Sequence, residues 1–228
     1  IVDVEPMPIQ DDDATGDALG PWITSGFLAS GAAATDAKVE DAATPFDRRR
    51  HGMIVGMGAA ALVVESQAHA DARKARVYAR LDGYAMCSAG QNRQYSHDAP
   101  EFDVQPCVRA LRGAIRDAGW TPGQVSLVNA NGSSSVIYDR LEAAALRETF
   151  GERFPEVPVH SQKSMLGQHG AGSSALQAVA ACLSIRRGTV PPTINLDEPD
   201  PACDLDYAPL VAREARILLG PSEDLLLI

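Results

Sequence analysis

The sequence predicts an α/β protein, and three observations carry that expectation. Short runs of Val, Leu and Ile alternate with longer stretches at helical spacing, in the order strand, helix, strand, helix, strand. The chain is Ala/Val/Leu-rich, with 45% hydrophobic residues and only 5% aromatics, which fits a globular α/β composition. At 228 residues it is long enough for one substantial core, or for part of a larger domain.

Taken in order, residues 1–9 read as a β-rich start and Asp11–Asp13 as an acidic turn. Trp22 to Ala34 is apolar and small, suited to a short helix and loop. Met53–Glu65, MIVGMGAAALVVE, reads as a buried hairpin or strand pair, because its small residues let backbones approach closely. Ser66–Lys74 suits a surface helix, and Arg76–Met86 a strand leading into a Gly/Ser/Asn loop. Val104, Val108, Leu111 and Ile115 recur at helical spacing, with Gly119 placed as a stop.

Val125–Val128 is predicted as a short buried strand, followed by the polar turn Asn129–Ser135 and a helix from Asp139 to Phe150. Pro158–His160 is another short strand running into Lys163. Ser173–Arg187 reads as an amphipathic helix with Leu176, Val179, Ala180 and Leu183 on one face, ended by Gly188 and the Pro191–Pro192 pair. Ala215–Leu219 and Leu225–Ile228 read as two strands around the turn Gly220–Asp224.

Composition excludes several function classes. The 20 Lys and Arg against 30 Asp and Glu give a formal net charge of −10, which repels phosphate backbones, and no basic stripe offsets it. No apolar run reaches the roughly 18 residues of a membrane span. The first residues have neither the basic nor the apolar region of a signal peptide. Cys87, Cys107, Cys182 and Cys203 are scattered without CxxC spacing. A reduced, cytoplasmic protein is therefore the default expectation.

Four segments, in one order, carry a resemblance. The first is PFDRRRHGMIVGMGAAALVVE, Pro45–Glu65, preceded by GPWITSGFLASGAAAT. The second is NANGSSSVIYDRLEAAALRETFG, Asn129–Gly151. The third runs from SQKSMLGQHGAG at Ser161 through PPTIN to Pro199, and the fourth is CDLDYAP, Cys203–Pro209. Together they resemble the β-ketoacyl synthase family, the condensing enzymes of fatty acid and polyketide synthases. The first is similar to the family's PFD-x-x-R-DGF-x-x-GEGAG-x-LVLE block, with His51 and Met57 as departures. The second is similar to AHGT-x-T-x-x-x-D-x-x-E, and the third to KS-x-x-GH-x-x-x-A-x-G followed by PPT-x-N.

The resemblance implies a thiolase-like fold of two related halves, each a five-stranded mixed sheet layered with helices. Residues 1–74 would end the first half and residues 75–228 would form the second. A complete domain of the family is close to twice as long. The implied chemistry is decarboxylative Claisen condensation between acyl and malonyl groups carried on an acyl carrier protein. Phosphopantetheine would arrive on that carrier; no cofactor or metal would be bound directly. Carrier protein, the remainder of the domain or a partner ketosynthase subunit, and a homodimer or heterodimer are the implied partners.

In that family a cysteine takes the acyl chain and two imidazoles donate hydrogen bonds to the developing enolate. The segment that would hold the nucleophile lies upstream of the GF stretch. Cys87 is not read as that nucleophile, and Cys107, Cys182 and Cys203 read as packing residues. Carried over by position, the catalytic candidates are Asn131, Lys163, Gln168 and His169. Ser133, Ser135, Asp139 and Glu142 are the channel or network candidates. Asn131 and Gln168 stand where the two histidines belong. An amide donates a hydrogen bond but carries no proton near neutral pH. His169 is one residue late; a bulge at Gly170 and Gly172 would return it to the site, and otherwise it is a polar loop residue. Asp139 and Glu142 also suit a helix start through the dipole alone.

Arg48–Arg50 reads as a solvated turn, with carrier-protein docking as the sharper alternative. His51 and His97 read as surface residues, and His160 as structural. The family's Gly/Phe-rich gate loop is not matched in ILLGPSEDLLLI, residues 217–228. Three functional readings follow: a ketosynthase portion, non-elongating because the histidines are replaced; a non-catalytic partner resembling chain-length factors; and, more remotely, a thiolase or chalcone-synthase relative.

Overall fold

The computed structural model describes residues 25–88 and 103–207, with the backbone of 213–214 and 226–227. The expectations for residues 1–13, His97, Ala215–Leu219 and the turn Gly220–Asp224 lie outside the described residues.

After helical turns at residues 25–29, the helices are α1 (Val39–Ala42), α2 (Gln67–Ala72), α3 (Gln105–Asp117), α4 (Val136–Phe150), α5 (Lys163–Leu166) and α6 (Gly172–Arg187). Strands β1 (Leu127–Asn129), β2 (Pro158–His160), β4 (Asp206–Tyr207) and β6 (Leu226–Leu227) form one parallel sheet in the order β4-β2-β1-β6. β3 (Thr189–Val190) pairs antiparallel with β5 (Arg213–Glu214). The described residues thus give four parallel strands, with α4 between β1 and β2 and with α5 and α6 between β2 and β4, the α/β alternation expected.

Local chemistry explains the elements. Ser66 caps α2 by accepting from the His69 N–H, and Gly119, at φ 76°, sits just past α3. Ser135 caps α4, which begins at Val136, three residues before Asp139, because the serine side chain satisfies the Tyr138 N–H. Gly188 ends α6 in the left-handed conformation. Parallel pairing aligns Val128 with Val159 and Asn129 with His160, so each sheet face presents like residues. The valines join Phe46, Leu146, Phe150 and Tyr207 in the main core. On Asn129, by contrast, the side-chain amide donates to the Gln177 carbonyl of α6.

Several expectations change. Met53–Glu65 is not a buried hairpin: Met53 and Val55 form single bridges to Ala33 and Gln168, and the rest has no regular secondary structure, with Val63 and Val64 exposed. Arg76–Met86 likewise forms no strand, and Leu81, Tyr84 and Met86 are exposed. Neither segment finds a ladder partner among the described residues, so apolar sequence alone does not bury it. On α6 the buried stripe is Ser173, Gln177, Ala181 and Ser184 with Val179, while Leu183 is exposed. That helix turns a small and polar face to the sheet, where Gln177 meets the Asn129 and Ala130 carbonyls.

Arg50 is not part of a solvated turn. It is 3% exposed and donates to the Asp47 and Val136 carbonyls and to Asp200 at 2.8 Å. Buried guanidinium groups need such a set of acceptors, and here residues far apart in the chain supply them. Arg48 and Arg49 do remain at the surface, paired with Glu198 and Asp197.

Candidate functional site

The second segment leaves β1 through Asn131 and turns at Gly132, whose φ is +39°. A Cβ there would lie 2.5 Å from the Ser161 Cβ and 2.8 Å from the Phe46 ring, so this close approach requires glycine. Two carboxylates of α4 hold the turn from below. Glu142 accepts from the Asn131 N–H at 2.7 Å and the Gly132 N–H at 2.9 Å. Asp139, fully buried, accepts from the Phe46 and Ser133 N–H groups at 2.9 and 3.0 Å, with Arg50 at 3.7 Å. Burial pushes Asp139 up to about 7, against the pull of those donors and of Arg50. Burial also raises Glu142, opposed by the two N–H donors and by Lys163.

The third segment brings Lys163 under the same turn. Its Nζ donates to the Asn131 carbonyl at 2.8 Å, to Asn131 Oδ1 at 2.9 Å and to Gln177 Oε1 at 3.3 Å. The lysine is 4% exposed, so it is no surface lysine. Burial lowers its pKa to about 8, although Glu142 and Asp139 pull it back up. The PPTIN stretch clamps this segment, with Thr193 Oγ1 accepting from the Ser161 N–H and Ser164 Oγ from the Ile194 N–H.

Beyond Gly167 the chain bridges the first segment: the Gln168 N–H donates to the Ile54 carbonyl and the Gly56 N–H to the Gln168 carbonyl, both at 2.8 Å. Extended backbone sends neighbouring side chains to opposite sides. Gln168 joins Ala32, Met53, Asn131, Ser133, Ser135 and Tyr138 around one cleft of about 280 Å³. His169 instead lies against Gly56 and Gly58, where added Cβ atoms would meet its ring at 3.1 and 2.8 Å. It does not line that cleft, and burial followed by the nearby Lys163 lowers its pKa.

Asn131, Gln168, Ser133 and Ser135 therefore share the cleft, Lys163 and Glu142 support it, and Asp139 sits beneath it. Two participants stand outside the motif positions: Gln177, the third acceptor of Lys163, and Ser173, whose hydroxyl donates to Gln168 Oε1. Their i, i+4 spacing on an otherwise Ala/Leu-rich helix is the signal in the sequence that could have found them.

Elsewhere, His51 is a half-exposed partner of Asp36, raised by the Arg49 carbonyl and then by that carboxylate. His160 is fully buried with neither ring nitrogen hydrogen-bonded among the described residues, and burial lowers it to about 4. Cys203 is buried, under the Tyr207 hydroxyl that donates to its carbonyl. Among the described residues no group of His, Cys, Asp or Glu is arranged to hold a metal, and no helix is long and apolar enough to cross a membrane.

The family described as "Beta-ketoacyl synthase, C-terminal domain" matches residues 78–197. The chain belongs to the β-ketoacyl synthase family. It is 39% identical over 201 residues to the 3-oxoacyl-[acyl-carrier-protein] synthase 2 of Coxiella burnetii, covering 88% of this chain and 48% of that protein. It is 44% identical over 178 residues to the oxytetracycline polyketide putative β-ketoacyl synthase 1 of Streptomyces rimosus, covering 78% and 41%.

Among solved ketosynthases, one is a type II PKS acyl-carrier protein in complex with its ketosynthase bound to the hexaketide. Its TM-score is 0.76 at 35% identity, over 86% of this chain and 47% of that one. The ishigamide ketosynthase/chain length factor gives a TM-score of 0.74 at 36% identity, over 85% and 45%. The fold is thus that of the ketosynthases, and the chain spans about half the length of the curated relatives it matches.

Proposed function

We propose that this chain is part of a ketosynthase condensing domain that handles acyl and malonyl groups on an acyl carrier protein, and that it is non-elongating. Residues 1–74 close the first half of a thiolase-like domain and 75–228 build the second, each half completing a five-stranded mixed sheet. The observation that carries this reading is the meeting of three segments at one cleft: Met53, Asn131 and Gln168 line it, with Lys163 bonded to Asn131 behind it. The uncovered apolar side chains, such as Met57 at 83% and Met86 at 93% exposure, are the surface against which the rest of the domain, or a partner ketosynthase subunit, packs.

Elongation requires managing protons near neutral pH. Asn131 and Gln168 stand at the two family histidine positions, and neither amide titrates there. Phosphopantetheine arrives on the carrier protein, and the chain binds no cofactor of its own. The test is to supply the full-length protein with a mass-tagged acyl thioester and malonyl carrier protein. Acylation without condensation is the expected result; condensation by this protein alone would overturn the non-elongating reading.

A second reading, a non-catalytic partner that shapes the cavity of an active ketosynthase, is favoured by the likeness to the ishigamide ketosynthase/chain length factor. In that case the protein takes no acyl group, and activity appears only when an active partner subunit is added.

A further inference from the structure

A carboxamide has one accepting end and one donating end, and which end faces a ligand is set by what holds the other. On Asn131 the accepting end is taken: Lys163, which can only donate, reaches Oδ1 at 2.9 Å. On Gln168 it is also taken, by the hydroxyl of Ser173. That hydroxyl accepts from the His169 N–H at 2.9 Å, which leaves its single proton for Gln168 Oε1. Neither Asn131 Nδ2 nor Gln168 Nε2 has a hydrogen-bond partner among the described residues, and both side chains line the same cleft.

We infer that Lys163 and Ser173 are positioning residues that fix both carboxamides with their NH2 groups toward the cleft, as a pair of neutral donors for the carbonyl oxygen of an acyl thioester. The identity of the ligand rests on the ketosynthase reading; the orientation of the amides rests on the hydrogen bonds alone. A carbonyl oxygen has two lone pairs and accepts two such donors. Neutral donors suit an uncharged carbonyl better than a phosphate or carboxylate, because the nearest cation, Lys163, lies behind Asn131 and is spent on three neutral acceptors.

The direct test uses the full-length protein and two ligands: hexanoyl-pantetheine, a thioester, and hexyl-pantetheine, the thioether that lacks only the carbonyl oxygen. Calorimetry gives the affinity of each. Two hydrogen bonds of ordinary strength predict a thioester preference of about tenfold. Asn131→Asp keeps the shape and still pairs with Lys163, but replaces the donor with an acceptor, and the preference falls to one or below. Ser173→Ala lowers the preference, and Ser173→Thr, which keeps the hydroxyl, restores it.

Equal binding of thioester and thioether by the unsubstituted protein overturns the donor pair and leaves the ketosynthase reading standing. Binding of neither ligand overturns both.

Discussion

Lys163 Nζ lies 2.8 Å from the Asn131 carbonyl oxygen and 2.9 Å from Asn131 Oδ1. One buried cation therefore holds both the backbone and the side chain of Asn131. From the other side Glu142 holds the N–H of the same residue. Asn131 is thus fixed at three of its polar atoms, and its geometry follows from residues on α4 and α5 rather than from the cleft itself.

A buried lysine at about 8 makes stability depend on pH in a defined window. Its folded pKa lies below the ordinary 10.5, so between these values the unfolded chain binds more protons and stability rises with pH. Below about pH 8 both states carry the charge and its full burial cost is present. The groups facing it are Glu142 and Asp139 on α4, Gln177 on α6 and the nearby His169. The urea-unfolding free energy of the protein minus that of Lys163→Met should climb from about pH 8 to 10, by at most roughly 3 kcal/mol. A flat or falling difference contradicts this.

Arg50→Met should be among the most damaging substitutions outside the cleft. It leaves the Asp200 carboxylate and three carbonyls without their shared donor, and the buried Asp139 without its ion-pair partner. Breaking one side of a buried ion pair costs about 3–5 kcal/mol, read as a lower denaturation midpoint. Arg50→Lys should rescue little, because an ammonium does not span those acceptors.

Asp47 should contribute to acid sensitivity. Burial raises its pKa, but Arg49 and the Arg49 and Glu198 N–H groups outweigh that and bring it to about 2. A carboxylate lowered from 3.8 stabilises the folded state above that value, and the contribution is lost as pH falls toward 2. Asp47→Asn should be less stable at neutral pH and show a shallower loss of stability between about pH 4 and 2, measured by thermal melting.

Gly132→Ala should disable the site without touching any proposed donor. The substitution is strained at φ +39° and its methyl meets Ser161 and Phe46. A stability loss of about 2 kcal/mol or more is expected, together with loss of the thioester preference.

Much of the fold is legible in the sequence because local periodicity and packing agree. Val108, Leu111 and Ile115 mark α3, and the Pro158–His160 strand has the predicted bounds, since both elements bury residues that their patterns single out. Met53–Glu65 misleads for the opposite reason: a strand needs a neighbour, and apolar sequence does not say whether one is present. Arg50 misleads because a run of three arginines looks alike whether its members are solvated or buried; only the long-range acceptors at Val136 and Asp200 distinguish them. On α6, Ser173 and Gln177 escape notice because an apolar pattern at helical spacing points to the leucines. The end of β1 there presents carbonyls, which need polar partners instead.

The family motifs bring Asn131, Lys163 and Gln168 to attention, and the structure places them around one turn and cleft. Which end of each amide faces that cleft is not legible in the motifs, because it depends on the residues behind.

The central claim is that the domain handles acyl thioesters without extending them. Its most direct measurement is intact mass analysis of the carrier protein after the full-length protein is incubated with acyl and malonyl carrier proteins. The account predicts transfer of the acyl group with no β-ketoacyl product. A β-ketoacyl carrier protein formed by this protein alone would contradict it.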